Sequence, residues 1–200
     1  MSETDEIDSN AVFHILIEQP LQAVLNQRLR KIGYWLLSFE ERDFCLETPN
    51  RSGLYAVRME FENRILELFP AWDNWLRGTN AYHIQARLVP QDRESDAFRY
   101  VKSLTVVEAK ETALWSNALA QPLTSVEVYG IGQSPQAICL AFSSEKVVVS
   151  IGYSGEKPLV GDGDEILVFS YEQWRSQEKT LSNPWTDIGA TRRGKNSPVV

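Results

Sequence analysis

The feature that most restricts the folding of this 200-residue chain is a pattern that occurs twice. Val57, Met59 and Phe61 alternate with other residues, and so do Leu66 and Leu68 after the polar break Glu62-Asn63-Arg64. A shift of 81 positions brings the same spacing back as Ile138, Leu140 and Phe142, then Ser143-Ser144-Glu145-Lys146, then Val147 and Val149. A period of two puts alternate side chains on one face of a strand. A short turn-prone break between two such runs reads as an antiparallel hairpin. Residues 55–70 and 136–151 are therefore expected to be two copies of one hairpin. Ile84 and Ile166 extend the match, as do Leu37 and Val128 after a change of offset that places an insertion around residues 40–51.

The expected fold class is α+β, mainly antiparallel β, with two related units that each combine a helix, a hairpin and further strands. The boundaries read as a flexible acidic arm at 1–10, a first unit at 11–90, a linker at 91–99, a second unit at 100–185 and a flexible basic tail at 186–200.

The other faces of the two hairpins differ. The first carries Arg58, Glu60, Glu62 and Glu67, charges that resist burial without partners. The second carries Ala137, Cys139, Ala141, Val148 and Ser150, small and mostly apolar. A sheet apolar on both faces needs cover on both. The second unit should therefore be central, and the first should present a wet, charged face.

Along the chain, residues 11–17 read as a short strand. Pro20 fits the first turn of a helix with Leu21, Val24, Leu25, Leu29 and Ile32 as its apolar stripe and Gly33 as its cap. Arg28, Arg30 and Lys31 read as the solvated end of that helix, where cations oppose the dipole. Strands are expected at 34–39, 43–48, 82–89, 100–107, 123–129 and 165–171, with a second helix at 108–120. Trp174 and Trp185 fall in a polar C-terminal stretch.

Composition sets limits on partners. A net charge of -7 disfavours binding a phosphate backbone, which needs clustered positive charge. It favours a basic partner instead. No apolar run approaches the roughly 18 residues that span a bilayer, and no positively charged leader precedes an apolar segment. A cytoplasmic protein is expected, with Cys45 and Cys139 as small buried hydrophobes in a reducing compartment.

No catalytic set emerges. His14 and His83 are the two histidines and both lie in strand-like runs. No serine or cysteine has a nucleophile context, and zinc-ligand spacing is missing, so no cofactor or metal is expected. Gly130-Ile131-Gly132 lacks the third glycine and the following helix of a dinucleotide loop. Asp162-Gly163-Asp164-Glu165 reads as a tight turn, because it lacks the length and later ligands of a Ca²⁺ loop. What remains is a surface. Trp72 and Trp75 sit in a connection beside Asp73, Glu60, Glu62 and Glu67, an acidic patch with aromatic anchors of the kind enriched at binding hot spots. The alternative role for the two Trp is a lid folded over a hydrophobic edge.

Trp115-Ser116, Leu119, Leu123, Val126, Phe142 and Asp164-Glu165-Ile166-Leu167-Val168 resemble a pattern of small bacterial immunity-type proteins and proteins of unknown function, across about half the chain. That resemblance implies a non-enzymatic protein that neutralises a toxin by docking on it, and it transfers no site residues. The expected function is a protein-binding module whose partner is another, basic protein. Two alternatives stay open: a small-molecule-binding or enzymatic domain with a pocket between the units, and a homodimeric structural protein.

Overall fold

The computed structural model describes residues 13–37, 54–71, 82–90, 104–109, 112–131, 134–153, 159–160, 163–178, 181, 184 and 186–188. Most of them lie in two antiparallel sheets. The first contains β1 (Leu29–Leu37), β2 (Leu54–Phe61), β3 (Ile65–Ala71), β4 (His83–Val89) and β5 (Leu104–Glu108), in the order β4-β3-β2-β1-β5. The second contains β6 (Leu123–Ile131), β7 (Ser134–Phe142), β8 (Lys146–Tyr153), β9 (Leu159–Val160), β10 (Glu165–Ser170) and β11 (Thr186–Ile188), in the order β10-β8-β7-β6-β11 with β9 beside β8. Helix is short: a π-helical turn at His14–Glu18, α1 (Gln19–Gln22), α2 (Ala113–Ser116) and α3 (Tyr171–Gln177). The α+β, mainly antiparallel reading is met. Among the described residues no helix is long and apolar enough to cross a membrane.

The two hairpins share one register. Val57 pairs with Leu68 and Met59 with Leu66; Ile138 pairs with Val149 and Leu140 with Val147, each 81 residues on. Even the turns close alike, with Phe61 N–H donating to Arg64 O and Phe142 N–H to Glu145 O, both at 2.8 Å. Met59 and Leu140 are both fully buried in one core. That core lies between the sheets, where β4 packs on β7 and β10 on β2. Leu21 of α1 with Val24 just after it, and Trp115 of α2 with Ala118 just after it, close it. Trp115 donates its indole N–H to the Tyr34 hydroxyl across this interior, at 2.5 Å.

Several sequence expectations are corrected. The run expected as a helix through Ile32 turns at Asn26, where φ is 62°, and continues as β1, so Gly33 is mid-strand and no cap. Arg30 and Lys31 likewise lie on β1 instead of at a helix end. Residues 14–18 are helical, not extended, and the second helix is reduced to Ala113–Ser116. β5 pairs with β1, so the first sheet extends past the expected linker to Glu108. The expected tail begins with a strand, Thr186–Ile188, paired with β6. Tyr171, read as the strand's end, instead opens α3, whose start is held by a capping box between Ser170 and Gln173. Where strands replace the expected helix, linker and tail, the residues of β1, β5 and β11 found partners far away in sequence, and pairing across a sheet outweighs local propensity.

Candidate binding face on the first sheet

The outer faces of the two sheets can be compared position by position. In the second sheet, Cys139, Val148 and Phe169 stand side by side on β7, β8 and β10. With Tyr129, Ala137 and Leu167 they form a second apolar cluster, sealed by Trp174 of α3. The Trp174 ring meets Tyr129 edge-on, with centroids 4.8 Å apart. Burial raises the Cys139 thiol to about 12, with Glu127 adding to the effect and Lys146 opposing it. The expectation of a sheet covered on both faces is met here: the first sheet covers one side and a helix the other.

At the equivalent places the first sheet holds Arg58, Glu67 and Arg87, in register on β2, β3 and β4. Glu67 is fully buried. Arg58 Nη1 lies 3.2 Å from its Oε1, and Arg87 Nη2 donates to its Oε2. Arg87 also stacks over the Phe69 ring at 5.2 Å. A carboxylate can be held this deep only because two guanidiniums replace its water. The expectation that Glu67 lies on a wet face is therefore wrong, and the reason is a partner 20 residues away that only strand register brings alongside.

The other described carboxylates of the expected patch, Glu60 and Glu62, are also matched by cations. Glu60 sits 3.6 Å from Arg58 Nε, and Glu62 accepts from Arg30 Nη2 at 2.8 Å. Among the described residues the patch is thus a set of paired charges, not a field of one sign. Trp72, Asp73 and Trp75 lie outside the described residues. So does Cys45.

A cleft of about 370 Å³ opens on this face, over β2, β1 and β5. Lys31, Gly33, Trp35, Arg58, Glu60, Val106 and Glu108 line it. Gly33 sits at its centre with Arg58 opposite on β2 and Glu108 opposite on β5. Trp35, two residues on, faces Val106, whose side of the sheet leaves it 50% exposed. Sequence reasoning missed this cleft, although a glycine inside a strand is a signal that another group approaches closely. Reading Gly33 as a helix cap hid that signal.

The two histidines stand elsewhere. His14 is exposed on the π-helical turn with Nδ1 2.8 Å from Glu18 Oε2, and Glu18 Oε1 accepts from Thr186 Oγ1 at 3.3 Å. His83 is buried on β4, its Nε2 2.9 Å from Gln85 Nε2. Among the described residues no cluster of three or more His, Cys, Asp or Glu is arranged to hold a metal. Comparison with known proteins finds no matching family model, no similar curated protein and no similar solved structure.

Proposed function

We propose that this chain is a protein-binding module built by internal duplication, with the second sheet as its sealed scaffold and the first sheet as its docking half. An immunity-type role is one form such a module takes. The observation that carries the reading is the contrast between equivalent positions. Cys139, Val148 and Phe169 lie under a helix, whereas Arg58, in register with Glu67 and through it Arg87, borders an open cleft with a half-exposed valine. Duplication accounts for the shared register of the hairpins and for strand orders that match position for position. Once both copies stand in one chain, their inner faces share one core, and an outer face is free to diversify.

The role proposed is binding and not catalysis. Glu67, the carboxylate buried in this face, has both oxygens held by guanidiniums, so it serves to hold the face together. Exposed apolar surface rimmed by charge is the usual composition of an interface.

The experiment is site-specific photo-crosslinking in cells, with the probe at Val106 in the cleft or at Glu172 on the exposed side of α3. A discrete protein adduct from position 106 and none from 172 supports the reading. Equal adducts from both positions, or none from 106, would end it.

A further inference from the structure

The lining of the cleft is balanced in charge: Lys31 and Arg58 supply two cations, Glu60 and Glu108 two carboxylates. Strand register fixes how they alternate. Arg58, Gly33 and Glu108 stand in one row across β2, β1 and β5, and Glu60 and Lys31 stand in the next row of the same face. The first row thus reads cation, gap, carboxylate, and the second reads carboxylate, cation. The gap is the hollow left by the missing side chain of Gly33.

Two rows of this kind fit each other. A two-fold axis running across the strands, between the rows, lays each row on the other row of a second copy. Arg58 then meets Glu60 of the second copy, and Lys31 of the second copy enters the hollow over Gly33, beside Glu108. The same contacts recur in reverse, as a closed two-fold interface requires. An axis through the glycine row would instead set Arg58 on Arg58 and Glu108 on Glu108, which like charges oppose. Arg58 also holds the buried Glu67 and, 3.6 Å from its Nε, the Glu60 of its own copy, so the pairing across the axis closes an alternating ring of four charges. Lys31 and Glu108 are both exposed and can reach across. Val106, 50% exposed, adds apolar surface at the end of the same face. A chain of net charge -7 repels its own copy in general, so self-association needs a face where its cations equal its carboxylates. We propose that the occupant of the cleft is a second copy of this chain, with Lys31 of each copy seated over Gly33 of the other. This rests on the docking role proposed above and names the partner.

The test is a charge exchange read by sedimentation velocity across about 1–100 µM protein. The unchanged chain, Lys31→Glu, Glu108→Lys and the double variant are compared, with folding checked by circular dichroism. Both positions are exposed, so the substitutions leave the core alone. The unchanged chain should form a dimer that weakens in high salt. Each single variant should raise the dimer Kd by about tenfold or more, and the double variant should recover most of that loss, because the two charges trade places across the axis. The proposal is overturned if the unchanged chain is monomeric throughout, if the dimer ignores both single changes, or if the double variant associates as weakly as the single ones. In the crosslinking experiment at Val106 the adduct should have twice the mass of the chain. An adduct with a different protein, basic or otherwise, from a chain that is monomeric alone would remove the second copy and leave the docking role standing.

Discussion

Asn26 and Ala120 both stand at φ 62°, 94 residues apart, and each donates its amide across the seam between the halves, Asn26 to Leu123 O and Ala120 to Leu29 O, both at 2.8 Å. Leu29 N–H to Gln121 O and Leu123 N–H to Gln27 O repeat the exchange, around the bridge between Arg28 and Pro122. Two turns with one geometry thus clasp each other where the sheets meet. A left-handed backbone is tolerated by Asn and strains Ala by about 1–2 kcal/mol. Glycine relieves that strain at an entropic cost of about 0.5–1 kcal/mol. Ala120→Gly is therefore expected to stabilise the protein by about 0.5–1 kcal/mol in urea unfolding. Asn26→Gly should change it little; a loss at Ala120 equal to that of an ordinary Ala→Gly change would contradict the assigned turn.

The buried triad makes a two-sided prediction. Glu67→Gln leaves two guanidiniums facing a neutral amide and should cost about 3–5 kcal/mol. Replacing all three residues with the second half's set, Arg58→Cys, Glu67→Val and Arg87→Phe, should fall within about 1 kcal/mol of the starting stability or exceed it. Denaturant titration of both variants reads this directly. A triple variant as damaged as the single one would mean that the two outer faces are not equivalent.

How much of this was legible in the residues follows from where the information lies. Met59 and Leu140 announced themselves because a period of two is local, but the match of Leu37 to Val128 was misplaced: Tyr34 pairs with Val57 as Val128 pairs with Ile138, so Tyr34 is the counterpart of Val128. The two-faced burial of the second sheet could be read from Cys139 and Val148 alone. Leu29 and Ile32 misled because their spacing suits a helix, whereas a register irregularity between Leu29 and Lys31 lets the same spacing serve a strand. Glu67 looked wet because its partner Arg87 belongs to the next strand over, and no local pattern announces a cross-strand neighbour. The cleft was invisible for the same reason: Gly33, Arg58 and Glu108 meet only through strand order.

Gly163, two residues before β10, closely approaches the backbone of Gly152 on β8. A Cβ there would fall 2.2 Å from Gly152 O and 2.3 Å from Gly152 C, backbone atoms that cannot swing aside. Gly163→Ala is expected to cost about 1–3 kcal/mol through forced backbone movement. A melting temperature unchanged from the parent would show that Gly163 and Gly152 are not this close.

Cys139 gives a pH prediction. Burial keeps the thiol protonated in the folded chain up to about 12, while the unfolded thiol ionises near 9.0. Below 9.0 both states hold the proton and the contribution is complete; as pH climbs from there toward about 12 only the unfolded chain releases it, so stability falls. In a Cys45→Ser background, Cys139 should resist a thiolate-directed reagent at pH 8 until denaturant is added. Rapid labelling of the native chain would place the thiol outside the cluster under Trp174.

The interior bond between Trp115 and Tyr34 should be costly to remove. Tyr34→Phe leaves a buried indole N–H without its acceptor, a loss of about 1–3 kcal/mol in denaturant unfolding.

The most direct test of one shared core clasped at a two-fold seam is native-state hydrogen exchange of the amides of Asn26, Leu29, Ala120 and Leu123. A single cooperative core requires all four to exchange with one free energy, equal to that of global unfolding and falling with the same dependence on denaturant. Two separate exchange energies, one for each pair or one for each half, would contradict it.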